Sequence, residues 1–186
     1  MKRCFLAVTI PEDLIEKIEK IKEEFSLTKA KISWVSKDNF HYTLRFFGNL
    51  DDERIEKISN IISEASQHFN KFDAEIKDVG CFPKDDFPRV VWIGMGEGAD
   101  KLREIFNHLE NEFVKLNLEK ENRFEPHLTL GRVKPYGLND ELREKIKKYK
   151  NYFFGKFKIE KLTLFESKLS PKGAIYKIIK EFNLKD

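Results

Sequence analysis

Two histidines occur in the same short pattern, His-x-Thr-Leu, at two places in the chain. His41 and Thr43 form the first copy, and His127 and Thr129 form the second. With four histidines and five threonines among 186 residues, chance accounts for roughly 0.1 His-x-Thr match, so two copies indicate a function. An imidazole exchanges protons near neutral pH, and a hydroxyl donates hydrogen bonds to phosphoryl oxygens.

Together the two copies suit an in-line displacement at phosphorus. Residues i and i+2 of a strand point to the same face, so each copy offers one imidazole and one hydroxyl to the same side. One imidazole can take a proton from the attacking oxygen while the other gives a proton to the leaving oxygen. Arg45 and Arg132 lie close behind the two copies and are expected to bind the phosphoryl charge.

Alternating strands and helices surround these residues. Short apolar or alternating runs predict strands at about 3–10, 40–47, 72–79, 89–95, 124–132, 157–166 and 174–180. Apolar residues at helical spacing predict helices after Pro11, after a cap at Asp51 or Asp52, and at about 100–116. A short basic helix is predicted at about 140–149.

The two copies belong to an internal repeat. They are 86 residues apart (127 − 41), and the same offset maps the strand at Arg3 onto the strand at Arg89. The order strand–helix–strand–helix–strand therefore occurs twice, at about 3–80 and 89–166, followed by a strand at about 174–180. We expect residues 1–186 to form a single bilobal domain in which the two copies face one another across a central cleft.

The composition sets limits on the class of protein. With 40% hydrophobic and 13% aromatic residues the chain can bury a core, which excludes a disordered protein. Two cysteines, Cys4 and Cys81, cannot form a disulfide framework, and no apolar run approaches the ~20 residues of a membrane span. We therefore expect a soluble, cytoplasmic protein. Its 35 basic and 32 acidic residues permit an anionic partner without indicating one.

The segments around the two copies resemble a known family. HYTLRFFG and PHLTLGR are similar to the two His-x-Thr signatures of the RNA 2′,3′-cyclic phosphodiesterases, also called 2′-5′ RNA ligases, of the two-histidine phosphoesterase superfamily. The resemblance extends over essentially the full chain, although Ser33 stands before the Trp34-Val35 pair where the family often has Arg. It implies a bilobal α+β fold with antiparallel sheets facing a central cleft.

The resemblance also implies an activity and roles for the residues. The expected reaction is hydrolysis of an RNA-terminal 2′,3′-cyclic phosphate to a 2′-phosphomonoester, with ATP-independent 2′-5′ ligation as the reverse type of reaction. His41 would be the proton donor and His127 the proton acceptor, while Thr43 and Thr129 would hold phosphoryl oxygens. The expected partner is RNA with a cyclic phosphate end, such as tRNA halves, and we expect a monomer.

The sequence alone does not fix the direction of the Arg132 side chain. The resemblance implies a basic residue after the second motif, yet strict alternation places Arg132 on the face opposite His127. Either a bulge or bend at Gly131 turns Arg132 back, or Arg132 is structural. The same alternation predicts that Phe46 lies in the core, and Trp34 is also interpreted as a core residue.

No metal or cofactor is expected. Neither copy has a second metal ligand at short spacing, and the chain contains no P-loop pattern. Residues Gly94 to Ala99 formally match a dinucleotide-binding fingerprint, but we interpret them as a glycine turn before a helix.

The alternative function is a non-catalytic RNA-binding module that uses the duplicated sheets as a platform. Such a module would carry stacking aromatic residues on the face where the histidines stand. Strand alternation instead places His, Thr and Arg on that face, which favours an enzyme.

Overall fold

The computed structural model describes residues 1–84, 87–135, 137, 139–171 and 173–186. These ranges contain strands β1 (Lys2–Thr9), β2 (Ile32–Trp34), β3 (His41–Leu50), β4 (Phe72–Phe82), β5 (Val90–Met95), β6 (His127–Val133), β7 (Phe153–Ile159), β8 (Lys161–Ser170) and β9 (Gly173–Asn183). They also contain α-helices α1 (Glu12–Ser26), α2 (Asp52–Ser66), α3 (Ala99–Phe113) and α4 (Asp140–Lys148), and short 3₁₀ helices at Lys37–Asn39 and Val114–Leu116.

Helices α2 and α4 begin where the sequence supplies a side-chain cap. The Asp51 carboxylate accepts a hydrogen bond from the Arg54 N–H at 2.8 Å, which fixes the start of α2. The Asn139 side chain accepts from the Leu142 N–H at 2.9 Å and starts α4 in the same way. Among the described residues, no helix is both long enough and apolar enough to cross a membrane.

The strands form two sheets in which all pairings between the named strands are antiparallel. The first sheet has the order β3-β1-β8-β9, and the second has the order β2-β6-β5-β4-β7. Each sheet contains strands from both halves of the chain, because β8 pairs with β1 and β4 pairs with β5. The predicted α+β class with antiparallel sheets is confirmed.

Residues of β1 enter two different apolar clusters. Alternate residues such as Leu6 and Val8 belong to the main core, which the helices and both sheets share. Phe5 and Ala7 point to the other face of the first sheet, where they form a smaller cluster with Phe165. The first sheet therefore packs on the main core with one face and carries a small apolar cluster on the other.

Two strand predictions differ from the structure, and one strand was not predicted. The predicted strand at 157–166 is two strands, β7 and β8, because the chain passes from one sheet to the other at Glu160. The strand predicted from residue 124 begins at His127. The three-residue strand β2 was not predicted, since only its pairing with β6 defines it.

Candidate active site

Both motif strands contain a β-bulge at the same position. On β3, the residues on either side of Leu44 pair with consecutive residues of β1, so Leu44 is an extra residue. On β6, the residues on either side of Leu130 pair with consecutive residues of β5, and 130 − 44 = 86. Strand alternation reverses beyond each bulge. The fifth residue after each histidine, Phe46 or Arg132, therefore returns to the face on which the histidine lies.

A cleft of about 320 Å³ lies between these two strands. Its lining includes residues of both sheets: His41, Thr43, Phe46 and Tyr176 from the first, and His127, Thr129 and Arg132 from the second. The fold thus brings the two His-x-Thr copies to one cavity.

The two imidazoles are held in the same way. Nδ1 of His41 lies 2.7 Å from the carbonyl oxygen of Asn39, and Nδ1 of His127 lies 2.8 Å from that of Glu125. A carbonyl only accepts, so each Nδ1 carries the proton and donates, and Nε2 is the ring nitrogen left for chemistry. The Asn39 side chain is itself anchored, since it donates to the Ala174 carbonyl of β9 at 2.8 Å.

Aromatic rings surround one histidine and change its acidity. The ring centroid of His41 lies 5.0 Å from that of Phe5 and 5.3 Å from that of Tyr176. Burial among these rings lowers the pKa of His41 to about 4, the Asn39 carbonyl acts in the opposite direction, and His127 lowers it further. In the unliganded protein His41 is therefore neutral at pH 7.

Two hydroxyls and one guanidinium complete the polar lining. The Thr43 and Thr129 side chains are half-buried, and neither hydroxyl is hydrogen-bonded to another described residue. Arg132 is exposed and forms no ion pair within the described part of the chain. These groups can donate to an anion that enters the cleft.

Arg45 was predicted to bind phosphate, and its position contradicts that prediction. The bulge at Leu44 turns Arg45 to the core side, where it is 7% exposed and does not line the cleft. Its guanidinium lies 3.0 Å from the Glu110 carboxylate and 3.2 Å from that of Glu121, and it donates to the Glu119 carbonyl at 2.6 Å. Arg45 is a buried structural ion-pair partner.

Phe46 was predicted to lie in the core, which is wrong for the same reason. The bulge exposes 58% of Phe46 and places it on the lining of the cleft. Sequence reasoning also missed Tyr176, which packs edge-on against His41. The sequence predicted no aromatic residues on the face where the histidines stand, and this favoured an enzyme over an RNA-binding module. Phe46 and Tyr176 lie on that face, so this argument for an enzyme does not hold. The 86-residue offset between Phe46 and Arg132 was the available signal, because equivalent bulges at Leu44 and Leu130 turn both residues to the cleft.

The residues Trp34 and Gly131 explain why β6 differs from β3 after its bulge. Trp34 packs against the main core, and β2 places it opposite Gly131. A Cβ at Gly131 would lie 2.9 Å from the Trp34 ring and 2.6 Å from an Ile32 methyl. Gly131 is the residue of β6 that corresponds to Arg45 on β3, and the structure leaves no room for a side chain there.

The side chains offer no evident metal centre. Among the described residues, no group of three or more His, Cys, Asp and Glu side chains is placed to hold an ion. The expectation of metal-independent chemistry remains a prediction.

Duplicated antiparallel sheets that bring two such histidines to one cleft are the architecture of a two-histidine phosphoesterase. The family model described as "LigT like Phosphoesterase" matches residues 8–92 and 93–176, and the chain belongs to this family.

Curated relatives match over nearly the whole chain. A protein of Methanocaldococcus jannaschii named RNA 2′,3′-cyclic phosphodiesterase is 37% identical over 180 residues, which covers 97% of this chain and 99% of the relative. A protein of the same name from Methanothermobacter thermautotrophicus is 32% identical over 182 residues, which covers 98% of each chain.

Solved structures confirm the fold. The structure of E. coli LigT complexed with 3′-AMP has a TM-score of 0.80 at 24% identity and covers 100% of this chain and 99% of that chain. A protein of Thermus thermophilus also has a TM-score of 0.80 at 24% identity, with 98% of both chains covered.

Proposed function

We propose that this protein hydrolyses RNA-terminal 2′,3′-cyclic phosphates to 2′-phosphomonoesters. The observation that carries the proposal is the pair of imidazoles in one cleft, each with Nδ1 bound to a carbonyl and Nε2 left for proton transfer. The full-length likeness to proteins named RNA 2′,3′-cyclic phosphodiesterase supports the same substrate class.

His127 is assigned as the proton acceptor. Its Nε2 takes a proton from a water molecule as the water oxygen attacks phosphorus. The bond between phosphorus and the 3′ oxygen breaks on the opposite side, and the phosphate remains on the 2′ oxygen. The carbonyl of Glu125 stabilises the positive charge that His127 gains, because it accepts from the Nδ1–H.

His41 is assigned as the proton donor to the leaving 3′ oxygen. This role requires a charged ring, whereas burial keeps His41 neutral at pH 7 in the unliganded protein. The phosphate of the bound substrate is an anion beside the ring and favours the charged form. We therefore expect His41 to take up its proton when the substrate binds.

Thr43, Thr129 and Arg132 are assigned to the non-bridging phosphoryl oxygens. The two hydroxyls have no competing partner among the described residues, and Arg132 supplies a positive charge where negative charge develops. Arg45 has no place in this assignment, because its guanidinium is paired with the carboxylates of Glu110 and Glu121.

The aromatic lining suggests which part of the substrate lies on the first sheet. Phe46 and Tyr176 stand beside His41, and aromatic rings in such clefts stack on nucleobases. RNA ends such as those of tRNA halves are the proposed substrates, for a monomer acting in the cytoplasm. Joining a cyclic phosphate end to a 5′-hydroxyl would be the same displacement with a different nucleophile.

The same aromatic lining favours the second candidate, a non-catalytic RNA-binding module. Incubation with a short oligoribonucleotide that ends in a 2′,3′-cyclic phosphate separates the two functions. The proposal requires multiple turnovers and a product that co-migrates with the 2′-phosphorylated standard. A 3′-phosphorylated product would refute the assigned leaving oxygen, and tight binding without turnover would favour the binding module.

A further inference from the structure

A second cavity adjoins the cleft on the side of α3. Its volume is about 530 Å³, within the range of ~300–1,000 Å³ that small-molecule sites occupy. Arg123, Phe124 and Glu125 line both cavities, so these three residues form the wall between them. The remaining lining residues are Arg103, Phe106, Asn107 and Asn122.

Helix α3 holds this wall in place. The ring of Phe124 stacks on that of Phe106, with 4.8 Å between their centroids. The Glu125 carboxylate accepts from the Arg103 guanidinium at 2.7 Å. Because the Glu125 carbonyl also binds His127, the wall is part of the framework that orients the second imidazole.

The charges of the wall are unevenly compensated. Glu125 is paired with Arg103, and Glu121, which also lines the cleft, is paired with Arg45. Arg123 is exposed and forms no ion pair or hydrogen bond with any residue that the structure describes. The wall therefore presents one uncompensated positive charge at the boundary between the two cavities. An anion that bridges them would meet this guanidinium.

The proposed substrate has such an anion at a suitable place. Its cyclic phosphate reacts between the histidines, and the chain continues from the same nucleotide through the 5′ oxygen to the next phosphodiester. We propose that Arg123 binds this phosphodiester and that the adjoining cavity, whose lining includes Asn107 and Asn122, receives the penultimate nucleoside. The protein would then prefer oligonucleotide ends to cyclic mononucleotides. This inference rests on the proposed function.

The test is the ratio of kcat/KM for a dinucleotide to kcat/KM for a mononucleotide, both ending in a 2′,3′-cyclic phosphate. We expect the ratio to exceed one in the wild type and to fall about tenfold in Arg123→Gln, as for loss of a charge-assisted hydrogen bond. Added salt should lower the wild-type ratio and have little effect on that of R123Q. An unchanged ratio in a folded R123Q protein would overturn the inference.

Two matched variants remove an exposed arginine elsewhere. Arg54→Gln on α2 lies at a cavity that shares no lining residue with the cleft, and it should keep the wild-type ratio. Arg3→Gln tests whether the RNA chain instead runs across the first sheet. Arg3 lies close enough to Tyr176 to lower the pKa of its hydroxyl, which burial raises. A fall of the ratio in R3Q but not in R123Q would mean that the bound RNA chain lies across the first sheet, which would refute the role of Arg123.

A binding measurement separates this inference from the reaction. The affinities of a 3′-phosphorylated dinucleotide and of the corresponding 3′-mononucleotide require no turnover. A selective loss of dinucleotide affinity in R123Q would support the inference even if the wild type did not hydrolyse either cyclic phosphate. Equal loss for both ligands would refute it.

Discussion

The Tyr42 hydroxyl donates a hydrogen bond to the Gly94 carbonyl at 2.8 Å. Tyr42 follows His41 in the chain and is fully buried, and Gly94 is the residue of β5 that pairs with His127. One buried hydrogen bond therefore links β3, which carries His41, to β5, which pairs with the strand that carries His127.

Tyr42→Phe should weaken the link between β3 and β5. The variant leaves the buried Gly94 carbonyl without this donor, which should lower the free energy of unfolding by about 1–3 kcal/mol and reduce kcat/KM through misplaced imidazoles. Tyr149→Phe is the control, because it removes a 2.7 Å hydrogen bond to Glu24 that lies outside the cleft. Denaturant unfolding and kinetics on both variants provide the check. Equal kcat/KM in Y42F and Y149F would show that the link does not position the histidines.

Arg45 and Arg132 should have opposite effects when replaced. Arg45→Met leaves Glu110, which is 1% exposed, without its partner and should destabilise the fold by about 3–5 kcal/mol. The double variant R45M/E110Q should recover much of that loss. The free energy of unfolding of Arg132→Gln should lie within ~0.5 kcal/mol of the wild-type value, while its kcat/KM should fall about 10²-fold. A stable R45M variant with reduced kcat/KM would contradict this account and indicate that Arg45 acts in the active site.

The acidity of His41 makes stability depend on pH with a definite sign. Its folded-state pKa of about 4 lies below the ordinary value of 6.5, so the unfolded chain binds the proton more readily. The contribution of neutral His41 to the free energy of unfolding is complete above pH 6.5. It is lost as the pH falls towards 4, by at most about 1.4 kcal/mol per pH unit. His41→Gln should remove this part of the slope in unfolding measured between about pH 4 and 7.

Binding of an anion should reverse that shift. An NMR titration of the His41 ring should give a higher pKa with bound inorganic phosphate than without it, because the anion stabilises the charged ring. No rise on binding would argue against His41 as the proton donor.

Turnover should persist after metal removal. The proposed displacement uses two imidazoles, two hydroxyls and a guanidinium, and none of these steps requires an ion. Enzyme treated with a chelator and assayed in metal-free buffer should keep its kcat/KM. A loss that Mg²⁺ or Zn²⁺ restores would replace the two-histidine mechanism.

The sequence was sufficient for the parts of the fold that follow local rules. Apolar residues at helical spacing predicted α1 to α3, a short basic helix was predicted where α4 lies, and Asp51 was one of the two caps considered for α2. The 86-residue offset predicted that the motif strands are equivalent, and their identical bulges at Leu44 and Leu130 have the same spacing.

The remaining features depend on contacts between distant strands. A bulge has no signature in its own strand, so alternation misplaced Arg45 and Phe46. The rings around His41 come from β1, β8 and β9, and their convergence follows from the order of the first sheet. Arg123 had no motif at all, and only the two adjoining cavities distinguish it from other exposed arginines.

The most direct test of the paired mechanism is kcat/KM for His41→Ala and His127→Ala on a cyclic phosphate and on its 3′-sulfur analogue. On the ordinary substrate each variant should lose ~10²–10⁴-fold, and the double variant should lose much less than the product of both. A 3′ thiolate leaves without protonation, so the analogue should largely rescue H41A and leave H127A impaired. Rescue of H127A alone would exchange the two roles, and near-wild-type rates in both single variants would contradict catalysis by the histidine pair.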